Sequence, residues 1–109
     1  MHSWLDKNVG MTAQQESLHV KLRTTYFSDL RAINDSIRVI KARFISRSAE
    51  NDFSDSLSTY WTDSINRWQR RADELTFRHV RAVRNILEPK QQPILDSLIQ
   101  VLMLRKSRE

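Results

Sequence analysis

The chain of 109 residues contains no cysteine. No disulfide, thiolate metal site or cysteine nucleophile is therefore open to it, and cysteine usage does not identify its redox compartment. Glycine and proline are nearly as scarce, with Gly10, Pro89 and Pro93 the sole examples. Between Met11 and Glu88 there is neither, which argues against hairpins of strands and predicts long helices. The fold class is all-α. No apolar run approaches the ~20 residues of a membrane span, and the opening MHSWLDKNV lacks the basic-then-apolar layout of a signal peptide. The expectation is a soluble chain, or the soluble part of one whose leader or anchor precedes Met1. Also missing are a Gly-rich phosphate loop, a nucleophile elbow and a carboxylate pair isolated in apolar surroundings. No catalytic residue is assigned, and the chain is not expected to be an enzyme.

What is present is helical periodicity. Leu18, Leu22, Tyr26, Leu30, Ile33, Ile37, Ile40 and Phe44 step by three or four, the repeat of one helical face. Thr12 can cap this helix, and Gln15 stands where its side chain can reach back to complete a capping box. The Ser-, Asn- and Asp-rich segment at 46–56 competes for backbone hydrogen bonds and predicts its end. A second series, Leu57, Trp61, Ile65, Trp68, Ala72, Leu75, His79, Val83 and Ile86, runs to a stop at Glu88-Pro89. At ~1.5 Å per residue each helix is about 50 Å long, and the short turn between them predicts an antiparallel hairpin. A shorter helix starting at Pro89 or Pro93 carries Leu95, Leu98, Ile99 and Leu102 inward, and Trp4, Leu5 and Val9 fit a single turn at the other end. The length suits one domain, 1–109. A hairpin this small exposes part of its apolar side, so a homodimer is expected.

The balance of 18 basic and 13 acidic residues gives a net charge of +5, which favours anionic partners. Arg67, Arg70, Arg71, Arg78, Arg81 and Arg84 crowd the second long helix but lie mostly opposite its apolar stripe, mixed with Asp63, Asp73 and Glu74. That describes a solvated, salt-bridged face rather than a nucleic-acid surface, which needs basic residues and stacking aromatics on one stripe. Trp61 and Trp68 fall on the apolar stripe and read as core. Three histidines are the only imidazoles: His2, His19 and His79. His79 is in register with the stripe and faces inward, either as a core histidine satisfied by one hydrogen bond or as a ligand. His19, beside Leu18 and off the stripe, reads as solvated. His2 and Asp6 are four apart, a spacing that offers one nitrogen and one oxygen to a metal.

Two short stretches recur, Met11-Thr12-Ala13-Gln14-Gln15 and Leu87-Glu88-Pro89-Lys90-Gln91. Each resembles the Leu-Thr-x-x-Gln motif found twice in the Spy and CpxP family of periplasmic helical-hairpin proteins. The first keeps Thr and Gln with Met for Leu, and the second keeps Leu and Gln with Glu for Thr. The spacing of the other features resembles the CnrX-like branch of periplasmic nickel and cobalt sensors. In that branch a His-x-x-x-His pair precedes the first long helix and a His-x-x-x-Met pair lies near the end of the second. Here His2 matches the first histidine, Asp6 stands for the second, His79 matches the third, and LEPKQQPILDSLI matches the closing segment. Val83 replaces the methionine. Arg23 falls about where the branch has a carboxylate, with Glu16 the acidic side chain early on the helix that could compensate.

The resemblance implies a four-helix hook, dimeric and periplasmic, with metal ligands His2, Asp6 and His79 for nickel, cobalt or zinc. It also implies a membrane-bound regulatory partner of anti-sigma type. The alternative it carries is a Spy-like holdase, a hairpin that captures unfolded clients without metal.

Overall fold

The computed structural model describes residues 4–108, and all their regular structure is helical: α1 (Trp4–Val9), α2 (Ala13–Glu50), α3 (Asp55–Asn85) and α4 (Gln92–Arg108). The all-α class holds. No helix among the described residues is long and apolar enough to cross a membrane. The chain divides into two compact units, one formed by Met1–Thr24 together with His79–Glu109 and the other by Thr25–Arg78.

The first unit begins with a helix too short to persist alone, since isolated helices below ~12–15 residues are marginal in water. Its end is fixed by Gly10, whose φ of 76° lies in the left-handed region. That turn lets the amides of Gly10 and Met11 both donate to the Asp6 carbonyl at 3.1 Å. The capping box forms as the sequence predicts: Gln15 N donates to Thr12 Oγ1 at 3.2 Å, and Thr12 N donates to Gln15 Oε1 at 2.9 Å. Val9, Met11, Val83, Leu87 and Leu95 make the buried core, with Leu5, Leu22, Ile86, Leu98 and Ile99 packed around it. α4 starts at Gln92, with Pro93 inside its first turn, where a missing amide costs least. Arg84 grips Asp96 with two parallel hydrogen bonds of 2.8 and 3.0 Å, tying α3 to α4. These bonds hold the Asp96 carboxyl below its ordinary value.

In the second unit Ile37 and Ala72 are buried, while Tyr26, Leu30, Ile33, Ile40, Phe44, Leu57, Trp61, Ile65, Trp68 and Leu75 are half-covered, following the two predicted stripes. Tyr26 Oη and Thr76 Oγ1 share a hydrogen bond of 2.8 Å, and the rings of Phe44 and Trp61 meet with centroids 6.0 Å apart. Along α3, Arg70 and Arg78 pair with Glu74 and Arg71 lies 4.6 Å over the Trp68 ring. Arg70, Arg71 and Arg78 are thus solvated and partnered.

α2 ends four residues later than the first Ser of the 46–56 segment. Its stop is a left-handed pair, Asp52 and Phe53, with φ of 53° and 56°. Phe53 N donates to the Ser48 carbonyl at 2.7 Å to close the turn. An aspartate tolerates this conformation, whereas a phenylalanine is strained in it. The Phe53 side chain is 60% exposed and so gains little from packing. Phe53→Gly is therefore expected to raise the unfolding free energy by about 0.5–1 kcal/mol. A urea titration that showed no increase would mean the ring makes up for the strain through contacts.

Candidate functional site

The first unit gathers three chemistry-bearing side chains from three helices. Asp6 comes from α1, His19 from α2 and His79 from α3. The Asp6 carboxylate and the His19 ring are almost completely sequestered, at 1% and 3% exposure. Asp6 Oδ1 lies 2.5 Å from His19 Nδ1, a short, charge-assisted hydrogen bond of the kind that makes a buried carboxylate tolerable. On the other side, the His19 ring is stacked with His79, their centroids 6.3 Å apart and their planes inclined by 27°.

His19 corrects the sequence reading, which left it solvated. Stepping back from Leu22, the apolar rule selects Leu18, four residues earlier. The buried position is instead three earlier, at His19, and the inward row continues through Gln15 to Met11. Leu18 is 41% exposed. A hydrophobicity criterion could not find this face because two of its members are polar and paired. The signal that could have found it is the matching burial demand of Asp6 and His19, a carboxylate and an imidazole each without meaning alone.

The expected metal ligands fare unevenly. His2 lies outside the described residues. Asp6 and His79 belong to the same unit, and each is next to His19. Val83 sits in the apolar core, and Glu16 is half-covered in the first turn of α2. Among the described residues no three His, Asp or Glu side chains are placed to hold a metal ion.

Burial pushes the His79 imidazole down to about 4, and the charges of His19 and Arg23 push in the same direction. His79 is thus unprotonated at neutral pH. The pH dependence follows from its sign. With an unfolded value near 6.5 and a folded value near 4, the unfolded chain binds more protons between those limits. Its contribution to stability is complete above pH 6.5 and is lost as the pH falls towards 4. For a partly exposed ring the loss is about 1–2 kcal/mol after allowance for solvent screening. His79→Gln is expected to show a smaller drop in urea midpoint between pH 7 and pH 4.5 than the parent protein. Equal drops would mean that other groups carry the acid sensitivity.

Beside this cluster the two recurring motifs meet. Gln15 Nε2 donates to Gln91 Oε1 at 2.8 Å, and Gln91 Nε2 donates back to Gln15 Oε1 at 3.1 Å. Each amide also serves backbone groups. Gln15 Nε2 reaches the Ile86 carbonyl at 3.2 Å, Gln91 Nε2 reaches the Gly10 carbonyl at 3.0 Å, and Gln91 Oε1 accepts from Glu88 N at 3.0 Å. The second motif copy therefore keeps the reach-back of a capping glutamine without a threonine. The paired amides join the entrance of α2 to the turn between α3 and α4, holding still the frame from which His19 and His79 project. Comparison of the chain with protein-family models, with curated proteins and with solved structures found no match.

Proposed function

We propose that the chain is a metal-responsive sensor and regulatory domain, a dimeric periplasmic helical hairpin resembling the CnrX-like sensors. The observation that carries this reading is the cluster of a buried carboxylate, a buried imidazole and a half-buried one at the meeting of α1, α2 and α3. The hairpin arrangement is supported by the reverse order of the partners Tyr26–Thr76 and Phe44–Trp61.

The side-chain types, though not yet a placed three-ligand set among the described residues, are those that nickel, cobalt or zinc accepts. His79 is unprotonated at neutral pH, as a ligand must be, and nitrogen and carboxylate oxygen are donors such ions accept. Arg23 works against the fit, since its charge already opposes protonation of His79 and would oppose a cation there. His2, Asp6 and His79 would hold the ion, which when bound supplies a positive charge shared between the N-terminal segment and α3. His2 and Asp6 then favour one placement of α1 against His79. That population shift alters the surface offered to a membrane-bound regulatory partner of anti-sigma type.

Calorimetric titration of metal-free protein with zinc, nickel and cobalt tests this reading, with Trp4 fluorescence as a local reporter. Saturable binding at micromolar or tighter levels that is lost in His79→Ala is the expected result. No heat with any of the three would remove it.

A second reading, a holdase for unfolded clients, is favoured by one feature of the second unit: Phe27, Ile45, Tyr60 and Phe77 are exposed, Phe27 and Tyr60 with arginines beside them. Suppression of light scattering from an aggregating client at stoichiometric amounts would support it, and a pure sensor gives none.

A further inference from the structure

We propose that the outer face of α4, with α1 beside it, is a docking surface for an anionic lipid bilayer. The inference goes beyond the metal-responsive reading and does not depend on it.

The sequence of α4 supplies the anomaly. From Leu98 to Leu104 the single polar residue is Gln100, so apolar side chains surround this part of the helix. A helix that is apolar on every side is normally buried, and α4 is not. Leu95, Leu98 and Ile99 pack into the core of the first unit, but Ile94, Val101 and Leu104 are exposed at 44, 45 and 65%. Their spacing of seven and then three residues puts them on one stripe beside the inward row, with Ser97 between. Apolar residues scattered singly over a surface need no explanation. A stripe at helical spacing along one helix does.

Charge selects the occupant. Arg105 follows the stripe and is exposed, and the sequence continues as Lys106-Ser107-Arg108. α1, which packs on α4, exposes Trp4 and Lys7, three residues apart and so on one face of that helix. Neither Lys7 nor Arg105 has a carboxylate partner among the described residues. The carboxylates of these two helices are both engaged, Asp6 with His19 and Asp96 with Arg84. The exposed and unneutralised charge described on α1 and α4 is therefore all basic. A second copy meeting the same face would bring basic groups together with no free carboxylate to receive them. Anionic headgroups supply what the face lacks. Apolar side chains beside basic ones, with a tryptophan at the same layer, are the composition of helices that lie on a membrane surface. The contact is peripheral: one face of α4 enters the headgroup layer while the other keeps its place in the core.

The test uses the full chain, metal-free, sedimented with vesicles of phosphatidylcholine alone or of equal parts phosphatidylcholine and phosphatidylglycerol. Binding to the anionic vesicles, little binding to the neutral ones, and release as salt is raised are the expected results. Arg105→Gln is expected to weaken binding about fivefold, and Val101→Ser with Leu104→Ser more than about tenfold. These positions are exposed, and circular dichroism melts verify that the variants are folded. Because the chain has no cysteine, Leu104→Cys can carry an environment-sensitive dye at one place only. Its emission is expected to shift to the blue on anionic vesicles, whereas the same dye on Ser58→Cys, exposed in the second unit, stays unchanged. Absence of binding to anionic vesicles would overturn the proposal. So would binding that the Val101 and Leu104 double variant leaves intact, or equal dye shifts at both positions, since either reports adsorption by net charge alone. Dimers that the same double variant dissociates, in a protein that ignores vesicles, would make this face an interface between copies instead. An unshifted dye at position 104 together with strong binding to poly-glutamate would make the occupant an acidic polypeptide. Zinc, nickel and cobalt binding is read separately by calorimetry, so failure here leaves the sensor reading untouched.

Discussion

Asp6→Ala is expected to lower the unfolding free energy by about 3 kcal/mol, and to loosen α1 before the rest of the protein unfolds. Removing one partner from a buried pair typically costs ~3–5 kcal/mol, because the other is left without its charge-assisted bond. Here the residue left behind, His19, is 3% exposed and cannot turn to water without opening the core. The six residues of α1 have no helical stability of their own. Their attachment comes from Val9 and Leu5 in the core, the Asp6–His19 bond, and the Gly10 turn that folds back on the Asp6 carbonyl. Urea denaturation at pH 7 measures the loss, and Trp4 fluorescence reports whether α1 departs first. The double change Asp6→Leu with His19→Leu is expected to recover most of the loss, since replacing both members of a buried hydrogen-bonded pair by apolar groups is often nearly neutral. A single variant within about 0.5 kcal/mol of the parent would mean that the pair contributes nothing net.

The second large effect concerns the paired amides. Gln91→Ala removes four hydrogen bonds, two shared with Gln15 and one each to Glu88 N and the Gly10 carbonyl. With each worth ~0.5–1.5 kcal/mol net, and with Gln91 buried, the expected cost is about 3 kcal/mol. Gln15→Ala removes the same two shared bonds and those to Thr12 N and the Ile86 carbonyl, at a similar cost. Because the shared bonds can be lost only once, the double variant should be less destabilised than the sum by about 1–2 kcal/mol. Strict additivity in the denaturation midpoints would mean that the two amides act on separate parts of the structure.

These two sites differ in how far the sequence disclosed them. Thr12 and Gln15 announced a helix start through local spacing, and the capping box formed there because its bonds are between residues three apart. That Gln15 would also meet Gln91 had no local signal. The two are joined only by the return of the chain, although the resemblance of the two motif copies singled out both. The apolar stripes of α2 and α3 were legible wherever the inward residue was apolar, from Leu22 to Phe44 and from Leu57 to Ile86. The reading failed where the inward face turned polar, at Gln15 and His19, since periodicity weighs hydrophobicity and a satisfied buried polar group is invisible to it. His79 was found because apolar neighbours flank it in register, yet nothing in α3 disclosed that a second imidazole would stand against it. The end of α2 was placed in the right segment, with its residue set by the left-handed pair at Asp52 and Phe53 rather than by composition.

The composition of the first unit from the two ends of the sequence also governs the order in which it can form. Its core draws Val9 and Met11 from one end and Val83, Leu87 and Leu95 from the other, with all of residues 25–78 intervening. During synthesis the opening segment lacks part of its core until α4 has emerged with Leu95, by which time the second unit is already complete in sequence. Closing that long loop is the slow, entropically costly event. A nascent chain lacking α4 would miss Leu95 and its neighbours Leu98 and Ile99 from the core beside the histidine cluster, so the packing that supports the cluster is completed only when the last helix arrives.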